Sequence, residues 1–276
     1  MRVSVIGMGM LGSEVAALLE SAGNTVKTFN FPDFDIRKRA DIDAACKDAE
    51  LVVNCAAYTA VDKAEAEPEL CRQINALPLA ELGTAALKAK AFVVHISTDF
   101  VFDGSGETPW RETDTPHPLN VYGATKLEGE QLLLASECPC AIMRVQWTYG
   151  RNGVNFVTKM LDLARTRNSL KVVDDQIGAP TNAADMAKEI KALGENRLQG
   201  VFHFAARGYC SRYESAKLIF KTAGLNVEVL PCKSTEFPTP ALRPLNSRFD
   251  CAKIEAATGL ERPAWDAALV SFIRSR

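Results

Sequence analysis

The chain has 276 residues, 47% of them hydrophobic, with 32 Lys and Arg against 34 Asp and Glu for a formal net charge of −2. That length admits one large α/β domain, or a cofactor domain with a smaller second lobe. The near balance of charge excludes a basic field for nucleic acid or for an acidic membrane surface.

Met1-Arg2 runs straight into Val3-Ser-Val-Ile6. Neither a signal peptide nor a membrane anchor is expected from this pattern, and a cytoplasmic protein is. The apolar pattern predicts a strand over Val3 to Ile6 and a helix from Leu11 to Ala22. After the Gly23-Asn24 break it predicts a second strand from Thr25 to Phe29. Leu51 to Cys55 reads as another apolar strand, Pro68 to Lys88 carries helical periodicity, and Ala91 to Ile96 returns to strand. Helix follows from about Val121 to Leu134, strand from Ala141 to Val145, and helix from Phe156 to Thr166. This alternation predicts a doubly wound, Rossmann-like parallel sheet over residues 1–165.

Beyond it the pattern loosens into Lys171-Val-Val173, a turn-rich Asp174 to Pro180, a helix near Asp185 to Leu193, and Val201 to Phe204. Prolines cluster from Pro231 to Pro244. Residues 166–276 therefore read mainly as a smaller C-terminal lobe for substrate, with some segments returning to the sheet. Ligand is expected between the lobes, outside the carboxyl ends of the strands. The eight cysteines are scattered, and Cys138-Pro-Cys140 lacks the two-residue spacer of zinc and thioredoxin motifs, so reduced thiols are expected. His95, His117 and His203 are single and far apart, which favours structural roles.

Gly7-x-Gly9-x-x-Gly12 falls between the first strand and the first helix, where it has mechanical meaning. Gly7 makes the tight turn, Gly9 leaves room for a pyrophosphate, and Gly12 lets helix and strand pack closely, with Met10 and Leu11 completing the loop. A nicotinamide dinucleotide is favoured. Asn30 stands at the end of the second strand, where an acid would bind a ribose 2′-hydroxyl; an amide tolerates a 2′-phosphate better, and Arg37 and Lys38 lie close in sequence. NADPH is thus preferred over NADH. Asp35-Ile36 is placed to border the adenine, and Ala57-Tyr58-Thr59 to line the nicotinamide side.

Tyr122-Gly-Ala-Thr-Lys126 sets a phenol and an ammonium one helical turn apart on one face. A free tyrosine titrates near ~10, so it is a poor acid or base at neutral pH unless a cation stabilises its phenolate. Lys126 supplies that charge. Tyr213-Glu-Ser-Ala-Lys217 repeats the spacing, but Ser211 as N-cap and the series Tyr213, Ala216, Leu218, Ile219, Phe220 read as a packed helix. Tyr122 instead follows the run Ala91 to Thr98, a buried strand whose polar end faces a cleft.

Together with the strings Asn54 to Pro68, His95 to Gly104, Pro118 to Glu130, Val173 to Thr181 and Pro238 to Pro244, these motifs carry a resemblance over nearly the whole chain. The sequence resembles the dTDP-4-dehydrorhamnose reductase family of the extended short-chain dehydrogenase/reductases. The resemblance implies an enzyme of dTDP-rhamnose and polysaccharide biosynthesis with Thr98, Tyr122 and Lys126 as its catalytic triad. A nucleoside-diphosphate 6-deoxy-4-keto sugar, dTDP-4-dehydro-L-rhamnose in that family, would take hydride at C4. Tyr122 would protonate the alkoxide, Thr98 would hydrogen-bond the same oxygen, and Lys126 would bind the nicotinamide ribose and lower the tyrosine pKa. Ile96 would border the cofactor with Tyr122 and Lys126, while Asp99 and Trp147 would touch the sugar and Arg243 the diphosphate. A homodimer fits the family as well.

The sequence departs from the family at three places. Its first two glycines have one residue between them where extended members usually have two. Some bacterial members hold Mg²⁺ at a dimer interface with glutamates; Glu14 matches one position but Ala184 stands at another, so no metal is expected. Phe100 replaces the more usual tyrosine. The nearest enzymatic rival, a nucleotide-sugar 4,6-dehydratase, needs a second carboxylate after Thr-Asp, and Phe100 occupies that place; an epimerase is a further alternative. The non-enzymatic rival is a regulatory subunit of the methionine adenosyltransferase type, which shares the fold.

Overall fold

The computed structural model describes all 276 residues, Met1–Arg276. Six parallel strands form its central sheet: β1 (Arg2–Ile6), β2 (Thr25–Phe29), β3 (Leu51–Asn54), β4 (Phe92–Thr98), β5 (Cys140–Val145) and a sixth strand, Gly200–Phe204. Their spatial order is Gly200–Phe204, β5, β4, β3, β1, β2. Ile6 at the end of β1 lies beside Phe29 of β2 on one side and Asn54 of β3 on the other. The winding direction reverses between β1 and β3, so the loops leaving those strands diverge and open a crevice beyond their carboxyl ends.

A sheet buried on both faces needs apolar side chains on both, which is why the inner strands β1, β3, β4 and β5 are buried almost end to end, whereas the edge strand β2 is largely exposed. On one face Val3, Val5, Val53 and Val94 pack against Val15 and Leu19 of α1 (Met10–Ser21) and Met186 and Ile190 of the helix Ala183–Glu195. On the other, Ile6, Val52, Val93 and Ile142 meet Ile42 of α2 (Arg39–Cys46), Leu82 of the helix Pro78–Ala89, and Leu133 of the helix Val121–Ala135. Each such Val, Leu or Ile contributes roughly 1.5–3 kcal/mol on burial. Ser4 is the one buried polar residue of β1, and its hydroxyl donates to the Ala45 carbonyl at 2.7 Å.

Two features depart from the sequence pattern. The single helical stretch from Pro68 to Lys88 is two helices, Pro68–Asn75 and Pro78–Ala89. Pro78 has no N–H to continue the first helix and sits instead at the first turn of the second. In the C-terminal part, the strand Glu228–Cys232, which contains Pro231, pairs in parallel with Ser169–Val173. A separate apolar cluster of Val157, Leu170, Val172, Ile219, Phe220 and Leu269 holds this part together. The sixth strand, however, adds to the central sheet beside β5. No helix is long and apolar enough to cross a membrane.

Candidate active site

The loop leaving β1 has the geometry its glycines permit. Gly7 has φ +87°, and a Cβ there would lie 2.5 Å from the Ala56 nitrogen; a Cβ on Gly12 would lie 2.0 Å from the Gly7 carbonyl oxygen. Both positions therefore require glycine. Gly9, the N-cap of α1, has open space where a side chain would be. The first amides of α1 thus face a cavity with no side chain in the way, an arrangement suited to an anion.

That cavity measures about 980 Å³ and extends from Gly7, Gly9, Met10, Leu11 and Gly12 to Thr98, Asp99, Tyr122, Lys126 and Trp147. Asn30, Asp35, Ile36, Ala57, Thr59 and Ile96 also line it. The Asn30 side chain also braces the glycine loop, since its Oδ1 accepts from the Met8 amide at 3.0 Å and so ties the end of β2 to that loop. Arg37 lines the same end, held by Asp35 through a bidentate pair with an Nη2–Oδ2 distance of 2.6 Å. The guanidinium keeps the Asp35 carboxyl below the usual carboxylate range.

At the other end, Thr98 terminates β4 and its hydroxyl caps a short 3-10 turn, Asp99–Val101. The helix Val121–Ala135 packs directly on that turn, because a Cβ at Gly123 would lie 2.1 Å from the Phe100 carbonyl oxygen. Glycine at the second position of the Tyr-Gly-Ala-Thr-Lys string is what brings Tyr122 up to Thr98. Asn120 fixes the helix start: its Oδ1 accepts from Gly123 N at 2.8 Å and its Nδ2 donates to the Leu242 carbonyl at 2.7 Å. Asp99 accepts from Ser247 Oγ at 2.5 Å and from Thr98 Oγ1 at 3.1 Å. Burial pushes its carboxyl up to about 6, against the pull of those two hydroxyls.

Lys126 is 1% exposed. Its Nζ donates to the Ile96 carbonyl at 2.6 Å and stands 3.1 Å from His95 Nε2. Burial lowers its pKa to about 8. His95 is kept neutral by burial and by the Lys126 charge, and its Nδ1 lies 3.1 Å from the Asn54 side-chain amide. The Tyr122 phenol departs from the sequence expectation. Burial raises its pKa, the Asp99 carboxylate adds to the rise, and only hydrogen bonding with Thr98 opposes it. Lys126 does not offset that rise: although it lines the cavity, its ammonium donates to the Ile96 carbonyl and stands against His95 Nε2. Tyr122 is therefore a neutral phenol at physiological pH, a proton donor in waiting rather than a base.

Two sequence candidates are not among the lining residues. Tyr58 turns away, its hydroxyl donating to Glu67 Oε2 at 2.6 Å while its amide donates to Asn75 Oδ1. Arg243 is held bidentately by Asp62, at 2.9 and 2.7 Å, and also donates to Thr239 Oγ1. A guanidinium with these partners is already neutralised. The Tyr213–Lys217 pair lies in the helix Arg212–Ala223, outside the cavity, with the ammonium 5.1 Å from its own phenol ring. Sequence reasoning missed Ser247 and Arg212, whereas His95, read as structural, is buried between Asn54 and Lys126. Arg212 lines the cavity as the first residue of its helix, and its neighbourhood in sequence gave no sign of this.

The family model described as RmlD substrate binding domain matches residues 1–276. The dTDP-4-dehydrorhamnose reductase of Sinorhizobium fredii is 38% identical over 281 residues, covering 96% of this chain and 94% of that protein. The crystal structure of a dTDP-4-dehydrorhamnose reductase from Clostridium acetobutylicum superposes with a TM-score of 0.96 at 38% identity, covering 100% of this chain and 99% of the other. The Bacillus anthracis dTDP-4-dehydrorhamnose reductase, solved in complex with NADP, gives a TM-score of 0.96 at 35% identity with the same coverage. With the sheet order, the glycine loop and the Thr98, Tyr122 and Lys126 cluster in place, the chain belongs to the dTDP-4-dehydrorhamnose reductase family of extended short-chain dehydrogenase/reductases.

Proposed function

We propose that the protein reduces the 4-keto group of a nucleoside-diphosphate 6-deoxy sugar, dTDP-4-dehydro-L-rhamnose foremost, using NADPH. The observation that carries this reading is that the Gly7 to Gly12 loop, Thr98, Tyr122 and Lys126 line one continuous cavity. The cradle fits a dinucleotide: Gly9 is open, the α1 amides are free of side chains, and Asn30 replaces the acid that would repel a 2′-phosphate. The NADP found in the Bacillus anthracis relative supports the same choice. When bound, NADPH supplies the hydride that reduces C4.

The chain's own residues handle the oxygen. Thr98 and Tyr122 present hydroxyls to the carbonyl, and negative charge growing on that oxygen strengthens both hydrogen bonds as the barrier is climbed. The Tyr122 proton passes to the C4 oxygen as negative charge develops there; an alkoxide is a stronger base than an ordinary phenolate, and the raised phenol pKa narrows that advantage. Lys126, charged below about pH 8, would hold the nicotinamide ribose. Asp99, fixed by Ser247, would accept a sugar hydroxyl, and Trp147 would cover the ring.

Phe100 after Asp99 leaves no second carboxylate for the elimination a dehydratase performs. The regulatory reading has no support from the relatives described above, which carry reductase names. The test is absorbance at the reduced-nicotinamide band after adding a 4-keto-6-deoxy nucleotide sugar: net NADPH consumption is expected, and tight NADPH binding without turnover would contradict catalysis.

The Lys126 charge gives a pH prediction. Its pKa is lowered by burial, so the cationic form is present below about 8 and lost above it. NADPH affinity is expected to weaken as pH rises from about 7 to 9 in the wild type. In Lys126→Met it should be weaker throughout and flat over that range. Equal slopes in the two proteins, measured by fluorescence titration, would assign the titration to another group.

A further inference from the structure

Three cations line the cavity, Arg37, Lys126 and Arg212. Arg37 is neutralised by Asp35, and Lys126 is engaged by Ile96 and His95. Arg212 alone forms neither an ion pair nor a side-chain hydrogen bond with the protein. Its guanidinium carbon lies 3.6 Å from the centroid of the Trp147 ring and 5.0 Å from that of Phe156. Aromatic contact occupies the faces of the guanidinium, which leaves its N–H edges to an acceptor the protein does not provide.

Its position compounds the anomaly. Arg212 is the first residue of a 12-residue helix, where the helix dipole disfavours a cation. The nearest acid in sequence, Glu214, is committed to the capping box, accepting from the Ser211 amide at 2.7 Å. Burial pulls the guanidinium down to about 10, and the Asp99 carboxylate only partly offsets this. A local rule broken with only partial compensation inside a cavity points to a ligand contact.

We propose that Arg212 binds a phosphate oxygen of the substrate's diphosphate, the role the sequence had suggested for Arg243. This rests on the nucleotide-sugar reading of the site. A planar fork of donors matches two oxygens of a phosphate, and the helix N-terminus beneath it adds favourable field once an anion is present. The cofactor also carries phosphates, but they belong at the glycine loop after β1, whereas Trp147 follows β5. The guanidinium stacks on Trp147 and feels the Asp99 carboxylate, which places it by the Thr98–Asp99 end of the cavity. Arg212 therefore serves the sugar-nucleotide end, where it also braces Trp147, whose φ of +45° needs support.

The test is calorimetric titration of dTDP and, separately, of NADPH into wild type, Arg212→Gln and Arg212→Lys. Loss of one charge-assisted pair is expected to weaken dTDP binding to Arg212→Gln between about tenfold and a hundredfold, with NADPH affinity unchanged. Arg212→Lys should recover part of that loss, because it restores charge without the flat stacking surface. Unchanged dTDP affinity in Arg212→Gln overturns the proposal, and so does a loss that falls on NADPH instead. A loss that lysine does not relieve at all also overturns it, since that pattern belongs to packing on Trp147. If wild type binds no dTDP, the proposal fails with it. If dTDP binds and depends on Arg212 while no 4-keto sugar is reduced, the reaction assignment fails and the Arg212 contact stands.

Discussion

Replacing Tyr122 with phenylalanine is expected to lower kcat/KM for the 4-keto sugar by about a thousandfold, while the NADPH dissociation constant changes by less than about threefold. The ring sits against Phe100 with centroids 5.6 Å apart, and phenylalanine keeps that contact, so the site should hold its shape. What is lost is the proton donor, and general acids of this kind contribute about 10²–10⁴-fold. A thousandfold corresponds to about 4 kcal/mol of transition-state stabilisation. Because kcat should carry most of the loss, single-turnover rates are the measurement of choice; a variant retaining more than about a tenth of wild-type turnover would remove the phenol from proton transfer.

The second large effect is on stability. Glu130, on the inner face of the Tyr122 helix, pairs with Arg144 of β5 at 2.6 Å, with side chains 2% and 5% exposed. Ser97 of β4 donates to the same carboxylate. Arg144 also reaches His203 Nε2 at 3.3 Å, and burial beside that cation drops the His203 pKa to about 3, so the ring accepts as a neutral group. His203 Nδ1 in turn lies 3.0 Å from the Trp110 carbonyl oxygen. Glu130→Ala would leave a guanidinium buried without a counter-charge, a change that costs about 3–5 kcal/mol in comparable sites. Thermal unfolding followed by circular dichroism should show a midpoint lower by on the order of 10 °C. The double variant Glu130→Leu with Arg144→Leu should recover much of the loss, since the surviving charge is then gone. A single variant within about 1 kcal/mol of wild type would mean that water reaches this network.

The parts of the molecule that were legible in the sequence are those governed by local pattern. β2 spans the same residues, Thr25–Phe29, that were predicted as a strand after the Gly23-Asn24 break, and the first glycine loop lies where its spacing between strand and helix placed it. Pro78 hid a helix break because periodicity continues across it, and only the missing N–H marks the boundary. Pro231 concealed a strand, since a proline inside a short run argues against pairing unless the strand lies at an edge.

The site divides along the same line. Thr98, Tyr122 and Lys126 belong to two elements joined by one glycine contact, so string and spacing announce them. Ser247 reaches Asp99 across 148 positions of chain, and Arg212 approaches Trp147 from a helix in a separate apolar cluster. No periodicity relates residues that meet only through tertiary packing. The raised phenol pKa is of the same kind: the four-residue interval to Lys126 suggested a depressed value, but burial and the competing Ile96 carbonyl decide it.

The most direct test of hydride delivery to a carbonyl held by Thr98 and Tyr122 is isotopic. NADPH carrying deuterium at both positions of the nicotinamide C4 should be incubated with the wild-type protein and a dTDP-4-keto-6-deoxy sugar, and the product sugar examined by proton NMR. One deuterium at sugar C4, absent when Tyr122→Phe is used for the same time, is the result this reading predicts; a product without deuterium at C4, or no product from the wild type, would contradict it.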